Sequence, residues 1–281
     1  MTIHASPFEV AVDGGLLRGS VQGQGEPVLL LHGGPGLPWS YLQPVVEELS
    51  DGYTVATYQQ RGLPPSTARA PYDVPTQVRD VVAVLDTIGW SRAVVVGHSW
   101  GGHLLLHVLA AFPGRLTAAL VIDPLGGVGD GGEQQFEGEL FARTPPADVK
   151  RAAELDRRAL AGEGTEADMT ESLRLVWPAY FADRSAAPPM PDVRGSVEAY
   201  SETYESIHAE LPSLAARLGN VTVPTTFLHG AASPMPVTAS TDTAAAIGSA
   251  ATVQVLEGAG HFVWVERPGS VRAALDGLLG R

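Results

Sequence analysis

The sequence predicts an α/β fold: a mostly parallel eight-stranded sheet with helices on both faces and an inserted helical cap. Three observations carry this. Between residues 27 and 123, short apolar runs alternate with longer stretches of helical period, and the same alternation returns after residue 223. Residues 126–219, between them, hold no convincing strand. Runs apolar on both faces suit strands covered on both sides, hence parallel pairing with right-handed helical crossovers. The division that follows is a core of residues 1–125 and 220–281 with a cap of 126–219.

In chain order, "FEVAV" and "LLRGSVQG" flank the turn "DGG", which marks an antiparallel hairpin at a sheet edge. "PVLLLHGG" reads as the third strand, "WSYLQPVVEELS" as a helix, "YTVATYQQRG" as a strand and "PTQVRDVVAVLDTIGW" as a helix. "RAVVVGHS", "GGHLLLHVLAAFP" and "RLTAALVIDP" repeat strand, helix and strand. The cap opens with the Gly-rich "GGVGDGG", carries the helical stretches "PADVKRAAELDRRALA" and "GSVEAYSETYESIHAEL", and breaks at the Pro-rich "SAAPPMPDV". "PTTFLHG" gives the seventh strand, 236–248 a helix, "TVQVLEG" the eighth strand, and a helix near 268–280 closes the fold.

At 281 residues and 44% hydrophobic content, the chain can bury one large core. Lys plus Arg number 18 against 31 for Asp plus Glu, and the net charge of -13 repels nucleic acid and anionic membranes. No apolar run approaches the roughly 18 residues that span a bilayer, and "MTIHASPFEV" has neither a basic nor an apolar leader segment, so a cytoplasmic chain is expected. The absence of cysteine removes disulfides, a thiol nucleophile and thiolate metal sites. No polyanionic partner and no thiolate-bound metal is therefore expected.

The chemistry centres on "GHSWGG" at 97–102, which fits G-x-S-x-G between a β-branched strand and an apolar helix. That strand–turn–helix context is what a nucleophilic serine needs, because it holds the Ser99 hydroxyl out over an electropositive helix N-terminus. A hydroxyl is a weak nucleophile until a base takes its proton. His261, in "GAGHFVWVERP" after the last strand, is best placed as that base, since open α/β sheets put their sites at the carboxyl edge. His98 points away along the elbow, His103 and His107 pack or face solvent, and His4, His32, His208 and His229 are read as structural or incidental. An oxyanion needs backbone donors. The turn "HGGPG" at 32–36 offers the amide of Gly34, and the residue after the nucleophile offers that of Trp100.

"HGGPG", "QQRG", "GHSWGG" and the terminal "GHF", in that order, resemble the α/β-hydrolase superfamily and specifically its proline iminopeptidase-related branch. The resemblance spans nearly the whole chain and is tighter in the core than in the cap. It implies a cap over the site and a Ser-His-acid mechanism without cofactor. Most members carry the acid after the seventh strand, within G-x-x-D, yet this chain reads Gly230, Ala231, Ala232, Ser233 there. A charged residue closing an apolar strand is costly unless paired. The acid is therefore assigned to Asp123, at the end of the sixth strand, a position that some haloalkane dehalogenases and lactonases similarly use; Asp130 is the reserve, and Asp242 lies too far along.

Other departures bear on substrate. Iminopeptidases typically read "DQRG" where this chain has "YQQRG", with Gln59 in place of the Asp, and they hold a substrate amine with acidic cap residues. Glu133, Glu137, Glu198, Glu202 and Glu205 are read here as solvated helix faces. Trp39, Trp177, Tyr180, Tyr200 and Tyr204 are the candidate lining of a mostly apolar pocket. A carboxylic ester or lactone hydrolase is thus ranked above an aminopeptidase. An epoxide hydrolase or dehalogenase would require Asp at the elbow. A cofactor-free haloperoxidase-like or C–C bond hydrolase can use the same triad, and a non-catalytic scaffold for binding is the reading from another class.

Overall fold

An antiparallel hairpin, β1 (Ser6–Val12) and β2 (Gly15–Gly23), opens the sheet at one edge. The remaining strands are β3 (Glu26–Leu31), β4 (Tyr53–Gln59), β5 (Ala93–His98), β6 (Leu116–Ile122), β7 (Thr225–Gly230) and β8 (Ala251–Leu256). The computed structural model describes residues 5–191 and 193–281; His4 lies outside them. One eight-stranded sheet runs β1-β2-β4-β3-β5-β6-β7-β8, antiparallel as far as the β2–β4 pair and parallel beyond it.

The inner parallel strands are buried on both faces because each face has its own helix layer, whereas the edge strand β8 is partly exposed. On β3, Leu29 and Leu31 join the layer packed by α2 (Val74–Thr87) and α3 (Trp100–Ala111). Val28 and Leu30 face the opposite layer with α1 (Gln43–Ser50). The segment read as one helix from "WSYL" starts as a 3-10 turn, Trp39–Leu42, and α1 follows with Pro44 in its first turn. Proline is tolerated there because the first turn's N–H groups have no helical acceptor.

The insertion contains α4 (Glu133–Ala142), α5 (Pro146–Leu160) and α6 (Glu166–Val176) around a small cluster of Leu140, Ala152, Val176 and Ala179. α4 is the helix face on which Glu133 and Glu137 were read, whereas α6 has no counterpart in the sequence reading; a capping box of Thr165 and Asp168 starts α6. α7 (Val197–Leu218) continues through Pro212 and so outruns the stretch whose period announced it. The lost hydrogen bond and ring clash of an interior proline cost about 3 kcal/mol. Ile207, Leu211, Leu214 and Leu218 form a stripe buried in the main core layer, and each such side chain returns about 1.5–3 kcal/mol. Burial wins, and the C-terminal half of α7 belongs to the core rather than to a cap that extends to residue 219.

The chain closes with α8 (Val237–Ile247), the single turn α9 (Val263–Glu266) and α10 (Ser270–Leu278). No helix among the described residues is long and apolar enough to cross a membrane.

Candidate active site

The sharp bend between β5 and α3 puts Ser99 at φ 55° and ψ −120°. Its tightness dictates the neighbouring glycines. A Cβ on Gly97 would lie 2.3 Å from the Gly101 carbonyl oxygen, and one on Gly101 would lie 2.2 Å from that of Leu31. Among the described residues, Ser99 and Asp123 (φ 44°) are the only non-glycine residues with positive φ. Such backbone strain persists only where surrounding structure over-determines it, and it clusters at functional sites.

Asp123 follows the last residue of β6 and is fully buried. Its carboxylate accepts from the Ser233 hydroxyl at 2.9 Å and from the Gly230 N–H at 3.2 Å, with His229 Nε2 at 3.6 Å. Burial raises the Asp123 carboxyl to about 6, opposed by His229 and by the Ser233 and Gly230 hydrogen bonds. His261 Nδ1 stands 3.4 Å from the same carboxylate, an approach too long and too oblique to be a hydrogen bond. Burial pushes the His261 imidazole down to about 3, so it is a free base at neutral pH. Its backbone N–H donates to the Tyr180 carbonyl at 2.8 Å, which ties the loop to the insertion. Asp130 and Asp242 are both exposed and elsewhere: Asp130 accepts from the Gly132 and Gln134 amides, and Asp242, among the described residues, accepts from Thr241 alone.

His229, read from sequence as structural, therefore stands against the carboxylate; its ring bonds Ser240 Oγ and the Met235 carbonyl. Ser233 is the residue where the iminopeptidase pattern has its acid. The only sequence signal for this arrangement was the absence of a carboxylate at that turn.

Gly34 has φ +56°, and a Cβ there would strike Leu37 at 2.3 Å. Neither its amide nor that of Trp100 donates to another described residue, and the two residues flank Ser99 on one cavity wall. Gln59 pins this turn by accepting from the Trp39 N–H at 3.0 Å and donating to the Leu37 carbonyl at 3.2 Å. An aspartate could only accept, so the Gln59 departure suits this turn. Trp100 is anchored by its own indole N–H, which donates to Gln60 Oε1 at 2.8 Å.

Two cavities meet at Ser99 and His261. The larger, about 320 Å³, carries Tyr180, Tyr200 and Tyr204 together with Phe136. The smaller, about 80 Å³, carries Trp177, Tyr180, Tyr41 and Phe262. Trp39 lines neither: its backbone N–H is tied to Gln59 beside the HGGPG turn. Glu133, Glu137 and Asp156 face the larger cavity. For Glu133 this corrects the reading of a solvated face, since it accepts from the Tyr204 hydroxyl and lies 3.2 Å from His208, whereas Glu137 is exposed as read and borders the cavity at its rim. Glu198 and Glu205 are exposed, and Glu202 accepts from the Tyr72 N–H. Phe136, Tyr41 and Phe262 escaped the sequence reading, since each comes from a segment whose relation to Ser99 is set only by the fold.

The Alpha/beta hydrolase family profile matches residues 28–274. Epoxide hydrolase A of Mycobacterium tuberculosis is 30% identical over 96% of both chains. Among solved structures, 2-hydroxy-6-oxo-6-phenylhexa-2,4-dienoate hydrolase of Rhodococcus sp. strain RHA1 superimposes with a TM-score of 0.73 at 20% identity over 100% of both chains. The proline iminopeptidase of Mycobacterium smegmatis does so with 0.70 at 22% identity over 98% of each. Sequence profile, full-length relative and sheet order agree: this chain belongs to the alpha/beta hydrolase family.

Proposed function

We propose that the protein is a serine hydrolase of small, largely apolar carboxylic esters or lactones. Ser99 Oγ attacks the carbonyl carbon while His261 takes its proton. Asp123 orients the imidazole and stabilises the imidazolium that forms. The amides of Gly34 and Trp100 hold the oxyanion. His261 returns the proton to the departing alkoxide, and the acyl group stays on Ser99. Water, deprotonated by His261, then attacks the acyl carbon; the acid leaves as Ser99 Oγ takes that proton from His261, so the cycle balances without a cofactor.

The observation that carries this reading is that Ser99 and His261 together line both cavities, with Asp123 behind the imidazole. The unequal volumes suit an ester with one small apolar half and one larger half. A fluorophosphonate probe tests the class. Stoichiometric labelling lost in Ser99→Ala supports the enzyme, and a folded but unlabelled protein supports a binding scaffold instead.

One observation favours a second reading, an iminopeptidase-like aminopeptidase. Glu133, Glu137 and Asp156 line the larger cavity, where a substrate ammonium would meet them. Comparing proline anilides with aryl esters and lactones separates the two, and a strong anilide preference would reverse the ranking. The name of the mycobacterial relative points to epoxides, but the covalent route to epoxide opening uses a carboxylate nucleophile, and the elbow here carries a hydroxyl. The segment from α4 to the first half of α7 is read as the lid over the site. A cytoplasmic location is part of the same proposal.

A further inference from the structure

A buried chain of hydrogen bonds crosses the floor of the site and uses none of the residues assigned to the chemistry as side chains. The Gly33 N–H donates to Tyr41 Oη at 2.5 Å. Tyr41 Oη and His98 Nδ1 are 2.9 Å apart, and His98 Nε2 lies 3.1 Å from the His261 carbonyl oxygen. The polarity is forced from both ends. A carbonyl can only accept, so His98 carries its proton on Nε2; its Nδ1 is then an acceptor and Tyr41 must donate to it. Only the neutral Nε2–H tautomer satisfies every link. Burial holds the His98 imidazole well below its ordinary value, in agreement with that state.

The chain joins three pieces that must keep register. Gly33 adjoins the oxyanion donor Gly34, His98 adjoins Ser99, and the His261 carbonyl belongs to the loop that carries the base. Packing at the junction is close: a Cβ on Gly33 would lie 2.9 Å from Tyr41 Oη, the Ser99 Cβ and the His98 carbonyl oxygen alike. The His98 and His261 rings stand 4.6 Å apart.

We infer that Tyr41 and His98 are positioning residues: a strut that holds the oxyanion turn, the nucleophile elbow and the His261 loop in mutual register. This rests on the serine-hydrolase reading above. Tyr41→Phe deletes the acceptor for Gly33 and the donor to His98, and His98→Leu deletes both ring contacts. A displacement on the order of 1 Å between reacting groups costs about 10²-fold in rate.

The test measures steady-state hydrolysis of 4-nitrophenyl butyrate and the rate of labelling by a fluorophosphonate, with circular dichroism to confirm folding. The strut predicts that Tyr41→Phe and His98→Leu lower kcat about 10- to 100-fold while KM changes less than about threefold. Fluorophosphonate labelling, which also builds charge on an oxygen in the oxyanion site, should slow in parallel. His98→Gln, whose amide can donate to the His261 carbonyl and accept from Tyr41, should recover most of the rate lost in His98→Leu. If His98→Leu does not fold, Tyr41→Phe and the recovery in His98→Gln still decide. Rates within twofold of the parent in Tyr41→Phe, a loss expressed in KM alone, or a His98→Gln variant whose kcat falls as far below the parent's as predicted for His98→Leu would overturn the strut. Ser99→Ala separates the two levels: if it is inactive while Tyr41→Phe is fully active, the strut alone fails. Esterase activity surviving in Ser99→Ala removes the serine mechanism and the strut with it.

Discussion

The Ser233 hydroxyl donates to the Asp123 carboxylate over 2.9 Å, so the acid at the end of β6 is held from the turn after β7. That bond stabilises the ionised carboxyl. With the His261 imidazole pushed down to about 3 and the Asp123 carboxyl raised to about 6, the proposed mechanism predicts an acid limb of kcat/KM set by Asp123 near pH 6. Ser233→Ala should move the limb upward in pH with little change above pH 8. A pH–rate profile checks it, and an unmoved limb removes Ser233 from the role.

Asp123→Asn should lower kcat by about 10³- to 10⁴-fold, the loss typical of removing a triad acid. Asp130→Asn and Asp242→Asn should stay within about threefold of the parent, since neither carboxylate reaches the imidazole. Single-turnover kinetics on an aryl ester give the comparison. Near-parental activity in Asp123→Asn would return the acid to another position.

The same substitution has a signature in stability. The folded value of about 6 for Asp123 lies above the ordinary 3.8, so between these values the folded state binds more protons than the unfolded one. The contribution of this carboxyl to stability is therefore fully present below about pH 4 and is lost as the pH rises through 6. Asp123→Asn removes that titration. Its melting temperature relative to the parent should be more favourable at pH 8 than at pH 4, by an amount equivalent to about 3 kcal/mol. Thermal melts at the two pH values measure it, and a pH-independent difference contradicts the raised value.

Leu214 is fully buried on the C-terminal half of α7. Leu214→Ala should cost about 2–5 kcal/mol of folding free energy. The exposed Ser213→Ala next to it should stay within about 0.5 kcal/mol. Denaturant titration distinguishes a half-helix that belongs to the core from one that is only part of a lid.

Glu137 borders the larger cavity with no described ion-pair partner. Glu137→Gln should raise kcat/KM for an ester carrying a carboxylate several-fold and leave that for a neutral ester of the same size unchanged, since it removes one like charge. The ratio of the two rates, measured at low and high salt, reports the field of the cavity.

The sheet, its order of alternation with helices and the elbow at Ser99 were legible in the sequence because each is written in residues two to four apart. "PVLLL" can only be a strand with two covered faces, and "GHSWGG" between strand and helix can only be a sharp turn whose glycines sit where no Cβ fits. That the Asp123 carboxylate would be partnered was legible too, because a charge ending an apolar strand is costly without a partner.

What surrounds those residues was decided by tertiary structure. Ser233 and Asp123 are 110 positions apart in the chain, and His98 and the His261 carbonyl are 163 apart. Nothing in local periodicity records which side chains of distant segments meet at a sheet edge. The same holds for Trp39, which adjoins the HGGPG turn in sequence yet lines neither cavity, and for Glu133, whose helix sets it against Tyr204. α7 passes through Pro212 for the same reason: the helix-breaking signal is local, and the Leu211, Leu214 and Leu218 burial that outweighs it is not. The sequence by itself determined the fold and singled out Ser99, His261 and Asp123 as candidates. Only the packed chain decided how they are held, because hydrogen bonds and burial act over ångströms in space and not over spacing in sequence.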